Sequence, residues 1–385
     1  MRIILATLMA FLLVSCGETV NETTTHSSTA NQETFEWKLV TTWPKNYPGL
    51  GLAPENFAKQ VEAMSGGRLK IKVFGAGQLV PAFEVFDAVS QGTAQMGHGA
   101  SYYWTGKSKA TAFFTSVPFG LNAQEMNGWL HYGGGLELWR ELYDEFNLIP
   151  FAGGNTGVQM AGWFNREINS MEDIKGLKMR IPGLGGDVIT RAGGVSVTIS
   201  GGELYTAMQT GVIDALEWVS PYNDIALGFH QVAKYYYYPG WHEPGPTLEL
   251  IVNKDAYAML PKDLQTIVEV AARAVNQDML DEYTARNNEA LVTLVETHGV
   301  QLRKLPDEVV SELRGISAEM LEELADDSEN DKYTKRFSLK FGWSRTSERP
   351  PCPAKRTSGT PATGSDCKTP SLTVRKSPVR SVTNQ

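Results

Sequence analysis

"SMEDIKGLKMRIPG", residues Ser170–Gly183, holds a turn, a strand and a stop in one short stretch. Ser170 and Asp173 stand at capping-box spacing, which opens the segment with a helical turn. Gly176 permits a tight turn. Leu177, Met179 and Ile181 then alternate with Lys178 and Arg180, the period of a strand with one buried face. Pro182-Gly183 ends it. Arg180 therefore sits at a strand's C-terminal end, which in an open α/β sheet borders the ligand crevice. Its planar fork can hold a carboxylate through two parallel hydrogen bonds, which a lysine cannot copy. The plain alternative is a surface arginine.

Further along, "GVIDALEWVSPY" (Gly211–Tyr222) begins as a buried strand and breaks its own pattern. Val212, Ile213, Ala215 and Leu216 are apolar. Then a carboxylate, Glu217, arrives beside the indole of Trp218. A lone buried carboxylate is costly and normally takes up a proton.

Outward from these two segments the chain alternates strands and helices. "FEWKLVTTW" (35–43), "RLKIKVF" (68–74) and "GTAQMGHGA" (92–100) read as strands. Helices are expected over about 54–64 and 81–91. A second set starts near Leu148 with "LIPFAGGN", "VQMAGWFN" and "GLKMRIP", and helices lie around 183–194 and 201–211. Long helices are expected over 261–298 and 307–324. Such alternation predicts α/β units with largely parallel sheets. The expected division is a first lobe over 35–150, a second over 151–250, and closing elements spanning both over 251–337.

The ends differ from this body. Arg2 followed by the short apolar run Ile3–Val14 reads as a secretory signal, too short to span a bilayer. It ends in Leu-Val-Ser-Cys16, which resembles a bacterial lipobox; that implies a lipid on Cys16, residues 1–16 being the signal and 17–34 a flexible tether. From Ser338 to Gln385 prolines sit among Ser, Thr, Lys and Arg without apolar period, the composition of a disordered tail. From Leu339 that tail has nine Lys or Arg against two acids, so +7, which leaves −15 of the total −8 on the residues before it. An acidic body excludes a nucleic-acid partner of the usual kind. Any anion it binds needs local donors or a captured cation.

Enzyme motifs are missing: no G-x-S-x-G, H-E-x-x-H, Walker A or G-x-G-x-x-G after a strand. His98, His131, His230 and His242 read as core or surface histidines. The body has no cysteine, hence no disulfide framework or thiolate metal site. Two polar loops stand out. "GGNTGVQMAGWF" (153–164) sets Asn155 and Gln159 among apolar residues, and "YYYYPGWHEPGPT" (235–247) carries Glu243 in an aromatic, proline-rich loop. "ASYYWTG" (100–106), with Tyr103, is another aromatic cluster of the kind that suits a cleft rim.

Together, Ser170–Arg180 and Gly211–Trp218 closely resemble the solute-binding subunits of TRAP transporters, over roughly Phe35 to Tyr333. "GGNTGVQM", "EWVSPYND" and "YYYYPGWHE" resemble the branch that binds 2-oxo acids such as pyruvate, or hydroxy acids such as lactate. The resemblance implies a two-lobed, periplasmic-binding-protein-like fold, with a cleft between two α/β domains that closes over a small organic acid. It implies that Arg180 grips the ligand carboxylate. It implies a co-bound Na⁺ or Ca²⁺ held by Gln159, Glu217, the backbone carbonyl of Trp218, and Glu243, with Asn155 and Tyr103 near the substrate. A hard cation among oxygen ligands would keep Glu217 ionised. The competing reading is a buried Glu217–Arg180 salt bridge.

The implied setting is the periplasm or outer cell surface, with the lipid anchor and the transporter's membrane subunits as partners. The tail departs from the family, whose C-terminal helix in some members exchanges between subunits. A homodimer built that way is in question here, some apolar surface is left uncovered, and a frameshift near the 3′ end of the gene is the expected cause. A metal-dependent α/β lyase acting on oxo acids is the alternative function, but no acid or base beyond the metal ligands is evident.

Overall fold

The computed structural model describes residues 33–327 and 330–341, with side chains placed through Phe337. The expected signal, most of the tether and nearly all of the tail lie outside the described residues. The chain begins with β1 (Phe35–Thr41), α1 (Leu52–Met64), β2 (Leu69–Phe74), α2 (Val85–Ser90), β3 (Met96–Gly99), α3 (Ala123–Tyr132), α4 (Gly135–Asp144) and β4 (Leu148–Asn155). It crosses to β5 (Gly162–Phe164), β6 (Lys178–Arg180), α5 (Gly183–Arg191), β7 (Val195–Val197), α6 (Leu204–Gln209), β8 (Ala215–Leu216), α7 (Pro221–Ala226) and β9 (Tyr235–Tyr238). It returns through β10 (Thr247–Asn253), α8 (Lys254–Met259) and α9 (Lys262–Val292), and closes with β11 (Gln301–Lys304), α10 (Asp307–Asp326) and α11 (Asp331–Phe341).

Two sheets result, ordered β2-β1-β3-β10-β4 and β11-β9-β5-β8-β6-β7. Strand β1 pairs in parallel with β2, from Phe35 opposite Leu69, and with β3. Its alternation is visible in burial: Trp37 and Leu39 are inside, Glu36 and Lys38 outside. Both sheets are mixed rather than largely parallel. Strand β10 runs antiparallel to β3 and β4, and β5 antiparallel to β8 and β9. The reason is direction of entry. Strands β1, β3, β4, β6 and β8 end towards the cleft, whereas β5 and β10 start there after a crossing between lobes, and so point the other way.

The same crossings move the lobe limits. The expected boundary at 150 falls inside β4, which stays in the first sheet to Asn155, and β10 is back in that sheet from Thr247. Every residue of β10 is buried. Helix α9 packs on α1 and β4 of the first lobe and on α7 of the second.

Helix α11 extends four residues past the expected end of regular structure at 337. Phe337 meets Phe113 and Trp129 with ring centroids 5.7 and 5.3 Å apart, and Tyr333 meets Phe114 edge-on. This helix thus covers the rings of Phe113, Phe114 and Trp129. No helix among the described residues is long and apolar enough to cross a membrane.

Candidate functional site

Seven loop or strand-end positions meet where the two sheets face each other. Arg180 ends β6; Glu217 and Trp218 follow β8; Gln159 precedes β5; His242 and Glu243 follow β9; Tyr103 follows β3. This is the carboxyl-end geometry of ligand crevices in α/β sheets.

Arg180 and Glu217 are both fully buried and form an ion pair through Nη1 and Oε1. The salt-bridge reading of Glu217 is therefore the arrangement in this structure. Nη1 also donates to the Glu217 carbonyl at 2.8 Å, Nε to the Ile199 carbonyl at 3.2 Å, and Nη2 to the Tyr103 hydroxyl at 3.3 Å. The guanidinium lies 5.0 Å from the Trp218 ring centroid, a cation–π contact that favours arginine over lysine. Tyr103 belongs to the first lobe and Arg180 to the second, so this one side chain bridges them. Part of the Tyr103 residue remains accessible, but desolvation of its hydroxyl pushes its pKa up to about 12.

Gln159 and Glu243 form the other half. Gln159 Nε2 donates to Glu243 Oε2 at 2.6 Å and more weakly to Thr156 Oγ1 at 3.3 Å, while its Oε1 is buried with no hydrogen-bond partner. Glu243 is 3% exposed. Burial first, and then the charge of Glu217, raise its pKa well above the usual carboxylate range; Arg180 works against them.

His242 joins the site, a role the sequence reading did not give it. It is 2% exposed, and its Nε2 lies 3.2 Å from Glu217 Oε2. Among the described residues, Glu217, His242 and Glu243 form the one cluster of three such groups with ligand atoms within 4.8 Å of one another. A lone histidine has no spacing signature. The available signal was its adjacency to Glu243 in an irregular loop, where neighbouring side chains can face one way. His98, by contrast, is a core histidine: Trp43 Nε1 donates to its Nδ1 at 2.8 Å, and its Nε2 bonds the Gly153 carbonyl at 3.0 Å.

Asn155 is buried nearby, but its amide ties down the crossing loop. Nδ2 donates to the Gly245 carbonyl and Thr247 Oγ1, and Oδ1 accepts from Gly157 N. Aromatic rings seal the site. Trp43 meets Trp218 at 6.1 Å and Tyr103 at 6.1 Å, and Phe83 meets Tyr103 at 5.0 Å. Beyond Phe83 a cavity of about 590 Å³ opens between the lobes, lined by Thr42, Phe83, Ser200 and Glu203 among others.

The donor set tests the cation reading. Two carboxylates and an amide oxygen without a partner are hard ligands suited to Na⁺ or Ca²⁺. Gln159 Oε1 is a buried acceptor that nothing among the described residues satisfies. The residues fit such an ion.

The model of the bacterial extracellular solute-binding proteins, family 7 (DctP), matches residues 39–327. The chain belongs to the DctP family. The monocarboxylate 2-oxoacid-binding periplasmic protein of Nostoc sp. is 46% identical over 341 residues, covering 87% of this chain and 92% of that one. A TRAP periplasmic solute-binding protein of Pseudoalteromonas atlantica, solved with bound sodium and pyruvate, is 46% identical with a TM-score of 0.78, covering 80% and 94%. One from Colwellia psychrerythraea, solved with bound calcium and pyruvate, is 45% identical with a TM-score of 0.78, covering 82% and 98%. This DctP-family chain is thus a two-lobed extracytoplasmic solute-binding protein, and the family is one of binding proteins, not enzymes.

Proposed function

We propose that this protein captures a small 2-oxo or 2-hydroxy monocarboxylate, pyruvate-like or lactate-like, together with Na⁺ or Ca²⁺, and delivers it to TRAP membrane subunits. The observation that carries this reading is the buried Arg180–Glu217 pair at the lobe junction, beside a Gln159 oxygen with no partner. On ligand entry Arg180 exchanges Glu217 for the ligand carboxylate, one anion for another, so the guanidinium is never left uncompensated. Gln159, Glu217, the Trp218 carbonyl and Glu243 would hold the cation. The ion would supply positive charge for the carboxylates and for the ligand's 2-oxo or 2-hydroxy oxygen. Tyr103 and Asn155 stand near the ligand, and the Trp43, Phe83 and Trp218 rings exclude water and favour a short apolar tail. The acidic body needs no basic field for capture, because the donors are local.

The test is calorimetry with pyruvate, with and without Na⁺ and Ca²⁺, followed by recovery of the ligand. Cation-dependent binding with unchanged pyruvate is expected. No binding heat under any cation, or chemically converted ligand, overturns the reading.

We also propose that Cys16 carries a lipid and anchors the protein at the periplasmic or outer surface of a membrane. Metabolic labelling with a radioactive fatty acid, lost in Cys16→Ser, is the expected result. Equal labelling of both forms defeats it.

A further inference from the structure

We infer that His242 is a positioning residue for the cation site: it holds one oxygen of Glu217 so that the carboxylate keeps its plane when Arg180 lets go of the other. The inference rests on the cation reading above and adds a residue to it.

Glu217 is held from two sides. Arg180 takes Oε1, and His242 Nε2 takes Oε2 at 3.2 Å. A carboxylate oxygen paired with a guanidinium is an acceptor, so the imidazole Nε2 carries the hydrogen and donates. The proposed exchange removes Arg180 from Oε1. A carboxylate held at neither end turns freely about its last torsion, which is broad and two-fold. One donor left on Oε2 removes that freedom and keeps Oε1 aimed at the site. Partners of metal ligands act this way on coordinating carboxylates.

The imidazole is itself fixed. Its ring meets Trp241 edge-on at 5.5 Å. The Trp241 carbonyl accepts from Phe119 N at 2.7 Å, which pins the loop. The backbone of α5 comes close enough that a Cβ on Gly185 would lie 3.1 Å from the His242 Cβ. Residue 242 is thus a rigid donor rather than a rim side chain.

Gln and Met share shape and differ in the donor, so His242→Gln and His242→Met isolate the hydrogen bond. The full chain is titrated with CaCl₂ at saturating pyruvate by calorimetry. Terbium luminescence excited through Trp218 gives a second readout without pyruvate. His242→Gln is expected within about threefold of wild type, and His242→Met weaker in both readouts by about 10–100-fold, the usual cost of losing a metal ligand's partner. Unfolding midpoints of the cation-free proteins exclude a general loss of fold. If His242→Met does not fold, His242→Asn takes its place, since its shorter side chain withdraws the donor from Oε2 and is expected to weaken binding likewise. Equal affinities across the variants, or a Gln variant as weak as the donor-deficient one, overturn the inference. Wild-type protein that binds no cation at all would instead overturn the cation reading.

Discussion

Trp218 donates its indole N–H to the hydroxyl of Tyr47 at 3.2 Å, across the boundary between the lobes. That hydroxyl in turn donates to the Asn223 carbonyl at 2.6 Å. Asn223 Nδ2 reaches the Pro48 carbonyl at 2.7 Å, and Tyr283 of α9 donates to its Oδ1. The residue that follows Glu217 is therefore wired to the first lobe and to the long helix. Tyr47→Phe leaves a buried indole N–H without a partner, a loss of about 1–3 kcal/mol. Pyruvate affinity should fall by about tenfold in calorimetry, and small-angle scattering should show a larger share of extended molecules without ligand.

Removing Arg180 has two separable effects. Arg180→Met should abolish pyruvate binding and, by leaving Glu217 buried without its counter-charge, lower stability by about 3–5 kcal/mol. Adding Glu217→Gln to it should recover much of the stability and none of the binding. Denaturant unfolding and calorimetry read the two effects independently.

Gly201 lies against the Trp218 ring, and a Cβ there would sit 2.4 Å from its Cη2. Gly201→Ala must therefore push the indole out of place. Overpacking of this kind costs about 1–3 kcal/mol. A weaker pyruvate affinity with red-shifted tryptophan emission is expected.

Glu249 is a buried residue of β10, where Ser101 and Tyr143 donate to its Oε2 at 2.9 and 2.7 Å and Trp104 donates to Oε1. Burial raises its pKa from 4.5 to about 7, against those hydrogen bonds. Asp224 is raised in the same way, from 3.8 to about 7. Between the unfolded and folded values the native state binds more protons than the unfolded one, so stability falls as pH rises through that window and levels off above about 7. For Glu249 alone the fall is about 3 kcal/mol. Unfolding free energies from pH 4.5 to 8 should show it, and Glu249→Gln should show a shallower slope over the same range.

Much of the site was legible because charge and aromatic residues at strand ends are rare and conspicuous. Arg180 and Glu217 stood out from their own strands, and the structure brings them into contact. Gln159 and Glu243 lie in two loops whose composition alone suited a structural turn or an aromatic rim, and it was the family resemblance that singled them out. His242 was not legible, since it meets Glu217 only because β8 and β9 flank β5 and end at the same edge of the second sheet. The lobe limits were misplaced for a related reason. An apolar run such as Leu148–Asn155 reads the same whichever sheet receives it, and only the pairing with β10 assigns it. Helix α11 escaped notice because three apolar residues, Tyr333, Phe337 and Phe341, make a thin signal until Phe114 is there to receive Tyr333, and Phe113 and Trp129 to receive Phe337.

The placement of β10 has a consequence for biogenesis. It lies between β3 and β4, so the first sheet stays split until residues 247–253 have left the ribosome. A nascent chain that cannot complete its leading half early is slow to become compact, because the missing strand must close a loop of nearly a hundred residues back to β4. For a protein destined for the far side of a membrane, that delay prolongs the threadable state an export channel requires.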